Sequence, residues 1–138
     1  MGEFEYFEHT ADVGITAIGR DLADAFEAAA VGLFNLMTDT ELLQPSVSID
    51  VAVDAEDLES LLVTWLNELI FLFDVENLLF KHFEITEISQ TSLRARCYGE
   101  RFDHQRHHLK TGVKAATHHR VRVEPLGDGF RAQVVVDV

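Results

Sequence analysis

Positive charge is scarce in this chain. Its 138 residues hold 11 Lys and Arg against 24 Asp and Glu, a formal net charge of −13. A surface so acidic repels phosphate backbones and argues against tight, general nucleic-acid binding; divalent cations or a basic protein partner suit it better. Cysteine is scarcer still. Cys97 stands alone, which rules out an intramolecular disulfide and a cysteine-built zinc site. No hydrophobic run is long enough to span a bilayer, because Asn67 and Glu68 interrupt the most apolar stretch. The chain opens on acidic and aromatic residues instead of a basic segment followed by an apolar one, so a secretory signal is not expected and a cytoplasmic location is. Catalytic signatures are missing as well: there is no Gly-x-Ser-x-Gly elbow, phosphate-binding loop or dinucleotide fingerprint.

What is present is strong periodicity in a length suited to one domain, 1–138, with one core. Residues 6–18 read as one extended strand. Asp21 then reads as an N-cap, with Asp24 in the first turn. Leu22, Ala25, Phe26, Ala29, Leu33, Phe34 and Met37 recur at helical spacing and predict a helix over 22–38. Beyond Pro45, Val47, Ile49, Val51 and Val53 alternate with smaller or polar residues as in a half-buried strand. Asp54 is expected to cap a second helix, 55–77, with Asp57 at its third position. That helix is apolar around most of its circumference. It is either the central core helix or a face shared with a partner around Trp65.

The rest is strand-rich. Alternation marks 83–88 and 93–98, a polar loop fills 99–112, and strands 113–124 and 130–138 form a hairpin through Pro125-Leu126-Gly127-Asp128-Gly129. The order β-α-β-α-β-β-β-β predicts an α+β two-layer fold, with two helices on one mostly antiparallel sheet. The hairpin brings Lys114 within a few residues of Asp137 and Val138.

Asp137 follows an all-valine run one residue from the terminus. A metal ion held by Asp137, Val138 and a second carboxylate such as Asp12 would compensate the charge and tie down the chain end; alternatively Asp137 points into water at a strand end. Such an oxygen set suits a hard divalent cation, and calcium, magnesium and manganese all prefer oxygen ligands. His9 could orient Asp12 through a hydrogen bond. Five of the seven histidines, His104, His107, His108, His118 and His119, cluster late in the chain. Of these, His104 and His108 have i, i+4 spacing, which binds a transition metal only if that segment is helical, and nothing suggests a helix there. A metal-dependent hydrolase would need a general base, for which Glu8 or His9 could serve, but no signature supports it. Cys97 reads as an inert core residue, and Lys114 as either a structural partner of Asp137 or a contact to a partner's phosphate or carboxylate.

Phe7-Glu8-His9-Thr10-Ala11-Asp12-Val13-Gly14, Ala25-Phe26-Glu27-Ala28-Ala29-Ala30, Trp65-Leu66-Asn67-Glu68-Leu69, Gly112-Val113-Lys114-Ala115-Ala116-Thr117-His118-His119 and Val136-Asp137-Val138 together resemble the archease family, in order along the whole chain. The resemblance implies a non-enzymatic accessory protein of the GTP- and manganese-dependent RNA-splicing ligase. Archeases promote guanylylation of a ligase histidine and allow multiple turnover in tRNA splicing and RNA repair. Some members were proposed as chaperones of tRNA methyltransferases, the alternative function. The resemblance also implies a metal site at Asp12, Asp137 and the main-chain oxygen of Val138, with Lys114 as the ligase-activating lysine. One departure is His118, where the family usually has Tyr.

Overall fold

The structure, a computed structural model, describes residues 2–9 and 12–138, with the main chain alone at Glu8 and His9. Its elements in order are β1 (Glu3–His9), β2 (Asp12–Gly19), α1 (Leu22–Met37), a short 3-10 turn (Thr40–Leu42), β3 (Val47–Asp54), α2 (Leu58–Glu76), β4 (Leu78–Ile88), β5 (Ser92–Arg101), β6 (Ala115–Leu126) and β7 (Gly129–Asp137). The α+β class and both helices match the expectation from sequence. The strands differ from it in two respects. Residues 6–18 belong to two strands, β1 and β2, paired antiparallel with His9 opposite Asp12. Thr10 and Ala11 between them carry no turn signal, which is why periodicity alone joined the two. The strands also divide into two antiparallel sheets, ordered β1-β2-β7-β6 and β3-β5-β4.

The helices hold the two sheets together. α1 packs on β2 and β4, and α2 on β6 and β3. Asp21 caps α1, its carboxylate accepting the Asp24 N–H at 2.8 Å. The cap of α2 is Asp57, which accepts from the Ser60 N–H at 2.8 Å, and not Asp54. Asp54 is still in the β3 ladder opposite Ser92, so the helix starts one turn later than its acidic residues suggested. Asn77 ends α2 in the left-handed region, φ 58, and its N–H reaches the carbonyls of Leu72 and Phe73. A Schellman-like end of this kind satisfies carbonyls the helix cannot.

Trp65 is fully buried, with its indole N–H donating to the Phe26 carbonyl at 3.1 Å and its ring edge-on to Phe83 at 5.9 Å. Phe34 packs on Phe80 and Phe83 at 5.5 and 5.9 Å. Trp65 therefore belongs to the core and is not a docking surface; the exposed apolar side chains of α2 are Phe71 and Val75. Helix side chains also close sheet edges. Glu27 accepts the Ile85 N–H of edge strand β4 at 2.8 Å, and Asn67 does the equivalent on β6.

The late loop is shorter than expected, since Gly99, Glu100 and Arg101 belong to β5. Residues 102–114 are pinned at both ends. The Phe102 N–H donates to the Asn77 carbonyl at 2.7 Å, and the Lys110 N–H to the Met37 carbonyl at 2.8 Å. The β6–β7 hairpin closes with Leu126 opposite Gly129. Gly127 takes φ +60, which costs a glycine no Cβ clash.

Candidate functional site

The β2–β7 register sets Asp12 directly opposite Asp137 at one end of the four-stranded sheet. Ile15, Ala17, Val134 and Val136 are fully buried against the helices. Strand alternation therefore sends Asp12 and Asp137 to the opposite, outer face. Directly paired residues have Cβ atoms about 5 Å apart, and like charges so placed are destabilising. Both carboxylates are half-buried. A hard cation relieves that repulsion, and the donors available are all oxygens: two carboxylates and the main chain of Val138, the next residue. The residues present thus fit a divalent ion of the calcium, magnesium or manganese type. Among the described residues no group of three or more His, Cys, Asp or Glu side chains gathers to hold a metal, so the carboxylate pair would need main-chain or solvent oxygens to complete its shell. The role suggested for the His9 side chain, and Glu8 as a hydrolase base, lie outside the described residues.

Lys114 immediately precedes β6. Its N–H donates to the Asp137 carbonyl at 2.8 Å, and Ala115 is the register partner of Asp137. The Lys114 side chain is exposed, and among the described residues no ion pair includes it, Asp12 or Asp137. The lysine therefore stands beside the acidic pair through the backbone while its ammonium group faces solvent.

Asn67 fixes this end of β6. Its Oδ1 accepts the Ala116 N–H at 2.7 Å and its Nδ2 donates to the Ala116 carbonyl at 3.0 Å. One carboxamide thus satisfies both main-chain groups of an edge residue, as a neighbouring strand would. In sequence Asn67 stands out as an interruption of an apolar helix and as part of the Trp65–Leu69 motif, neither of which indicates its partner. A lone amide in the middle of such a helix was the available signal, because a buried-facing amide must find partners.

A second arrangement lies on the same outer face. Phe7 is opposite Gly14, and a Cβ on Gly14 would sit 2.1 Å from the Phe7 ring. Only glycine lets that ring lie flat across β2. The Arg120 guanidinium lies over it, 5.6 Å from the ring centroid.

The histidine cluster does not assemble into a site. His107 is buried, its Nδ1 accepting the Asp103 N–H at 2.8 Å and its Nε2 bonded to Glu100. Since Nδ1 accepts, the proton sits on Nε2 and donates to the carboxylate. Glu100 also receives the Gln44 N–H and the Arg106 guanidinium. Burial pushes the Glu100 carboxyl up, but the Gln44, His107 and Arg106 hydrogen bonds and the arginine charge outweigh it and hold the group below the usual range. His104 packs on Phe102 at 4.6 Å, while His108, His118 and His119 are exposed. An open cleft of about 790 Å³ beside this network contains none of the tip residues, and its buried acid is already satisfied. Burial, reinforced by Asp50, pushes the Cys97 thiol up to about 12, so it is a protonated core group and no nucleophile.

A small α+β domain with an acidic, lysine-flanked tip, in which no catalytic group assembles among the described residues, is the class that fold and site define. The sequence profile described as the Archease protein family (MTH1598/TM1083) matches residues 4–138. Proteins called archease from Pyrococcus furiosus and Sulfurisphaera tokodaii are 43% and 42% identical to the chain, each over the full length of both sequences. The solution structure of Methanobacterium thermoautotrophicum protein 1598 superposes with a TM-score of 0.85 at 36% identity, over 98% of each chain. An archease crystal structure from Thermotoga maritima, described as a possible chaperone, shares the fold at a TM-score of 0.61 and 19% identity, over 97% of this chain and 96% of that one. The chain belongs to the archease family. Among the described residues, no helix is long and apolar enough to cross a membrane.

Proposed function

We propose that this protein is a non-enzymatic activator of a GTP- and manganese-dependent RNA-splicing ligase, promoting guanylylation of the ligase and its repeated turnover. The observation that carries this reading is the juxtaposition of Asp12 and Asp137 with Lys114 hydrogen-bonded to the Asp137 main chain. Asp12, Asp137 and the Val138 main-chain oxygen would hold a divalent ion, calcium before manganese or magnesium. When bound, that ion supplies a fixed positive charge at the tip. The chain's own contribution is rigidity. The β2–β7 ladder fixes the two carboxylates, and the Asn67 carboxamide fixes the strand that begins beside Lys114. The tip docks at the ligase's active centre, where Lys114 meets a phosphate or carboxylate. The net charge of −13 steers the protein towards a basic, RNA-binding surface.

The test is RNA ligation at large RNA excess by the splicing ligase of the same organism. Addition of this protein is expected to convert a single turnover into many, and Asp137→Asn or Lys114→Ala to fold normally without that effect. A variant that stimulates fully removes its residue from the mechanism. Failure of the wild type under saturating GTP and manganese removes the reading itself.

The second reading is a chaperone for a tRNA-modifying methyltransferase. It rests on Phe71 and Val75, which stand one helical turn apart on α2 with 53% and 56% of their surface exposed. It requires that Phe71→Ser abolish partner binding while Asp137→Asn spares it.

A further inference from the structure

In a protein so acidic, the placement of the unengaged cations is informative. Of the 11 Lys and Arg side chains, six form ion pairs with carboxylates and two, Lys81 and Arg101, donate to main-chain carbonyls. Among the described residues, the three outside those pairings are Lys114, Arg120 and Arg122. All three lie on edge strand β6 or immediately before it, together with the exposed His118 and His119.

The strand is deformed where these side chains emerge. Its register jumps from Thr117 opposite Val135 to Arg122 opposite Gln133, so residues 118–121 bulge out against the single residue Val134. Arg120 sits in the bulge at φ 58, a left-handed conformation that arginine rarely adopts. Its carbonyl accepts the Gln133 side-chain amide at 2.9 Å, and its guanidinium is held over Phe7. A cation over a ring face is held by the ring's quadrupole, and, with no carboxylate paired to it among the described residues, its N–H groups stay available for two-point contact with an oxyanion. Arg122 shares the outer face with Gln133, its register partner. The strained backbone, the Phe7 platform and the glycine beneath it all act to present one cation.

The edge is a poor template for a pairing strand. Asn67 occupies both main-chain groups of Ala116, and the bulge interrupts the ladder beyond it. An acidic peptide adding as a strand therefore finds only the short run 122–126, in which Pro125 has no N–H to donate. What the edge offers is a row of cationic side chains, which suits successive phosphate groups. A single strand fits so narrow a row, whereas a duplex would bring its second phosphate chain against the acidic remainder of the surface.

We infer that the outer edge of β6, through Arg120 and Arg122 with Lys114 at its tip end, contacts the phosphate backbone of a single-stranded nucleic acid. The contact is local and weak, because the net charge opposes it. It deepens the ligase-activator reading, yet stands on the strip's own charges, so it is tested without the ligase.

The probe is a short fluorescein-labelled oligouridylate, read by anisotropy as a function of salt. Three neutralised phosphates give a slope of log K against log salt of about −2, and R120G/R122A reduces it to about −0.7, with affinity falling about tenfold. R120G alone is expected to weaken binding while its thermal midpoint is no lower than wild type, since glycine tolerates the left-handed φ. No salt-dependent binding, binding indifferent to R120G/R122A, or equal competition by polyglutamate each overturns the inference. None of those results bears on whether the tip activates a ligase.

Discussion

At the residue scale, two positions show how a single side chain commits its surroundings. Gly14 is legible in sequence only as part of a motif; its purpose becomes clear when the Phe7 ring is seen lying where a Cβ would be. Gly14→Ala is expected to cost about 1–3 kcal/mol through overpacking. Most of that cost disappears in a Phe7→Ala background, a coupling readable by urea unfolding of the four variants. Glu100 is the second position. The residue is 4% exposed, and its carboxyl is held below the usual range by three donors that overcome its burial. The folded-state pKa thus lies below the unfolded value of about 4.3. Its contribution to stability is complete above that value and is lost as pH falls through the folded pKa. Glu100→Gln, which removes charge-assisted hydrogen bonds from a buried group, is expected to destabilise by about 1–3 kcal/mol at pH 7. The gap from wild type should narrow in unfolding titrations taken below about pH 4.3. A gap that is constant with pH would contradict this assignment.

At the element scale, legibility followed the strength of each local signal. The helix α1 and the β6–β7 hairpin carry periodicity, an N-cap and turn glycines that agree with one another, and both stand close to where those signals put them. The start of α2 lies one turn beyond the expected cap, Asp54, because Asp54 and Asp57 are both competent caps; the β3 ladder claims the first and leaves the second. The early residues of β4, Leu78–Phe80, are continuously buried and show no alternation, so pattern alone missed them. The β6 bulge was invisible, since an inserted segment changes no composition. The clamp between α2 and β6 depends on contact between residues 49 apart, which no local signal encodes. Asn67→Ala leaves the Ala116 groups without their side-chain partner. It is expected to lower stability by about 1–3 kcal/mol and to speed hydrogen exchange at the Ala116 amide more than at the β7 amides. Uniform exchange across the sheet would mean that the clamp is not local to β6.

At the scale of the whole molecule, charge was the most legible property and its arrangement the least. The count of −13 follows from composition. That Asp12 and Asp137 meet at one sheet end while, among the described residues, the unengaged bases line one edge depends on strand order. The hairpin alone brings Lys114 near Asp137, but the opposition of Asp12 to Asp137 needs the β2–β7 pairing, between strands far apart in sequence. If the tip holds a divalent ion, calcium or manganese should raise the thermal midpoint. The gain is about 2.7 kcal/mol at a free concentration a hundredfold above Kd. Asp137→Asn should show no such gain, and an equal shift in that variant would place the ion elsewhere.

The most direct measurement is the rate at which the splicing ligase becomes guanylylated, with GTP and manganese saturating, in the presence of wild-type protein, Asp137→Asn or Lys114→Ala. The account predicts faster accumulation of the guanylylated ligase with wild type alone, both variants remaining folded and leaving the rate at its unassisted value. Guanylylation that proceeds equally with all three, or that wild type does not accelerate, would contradict it.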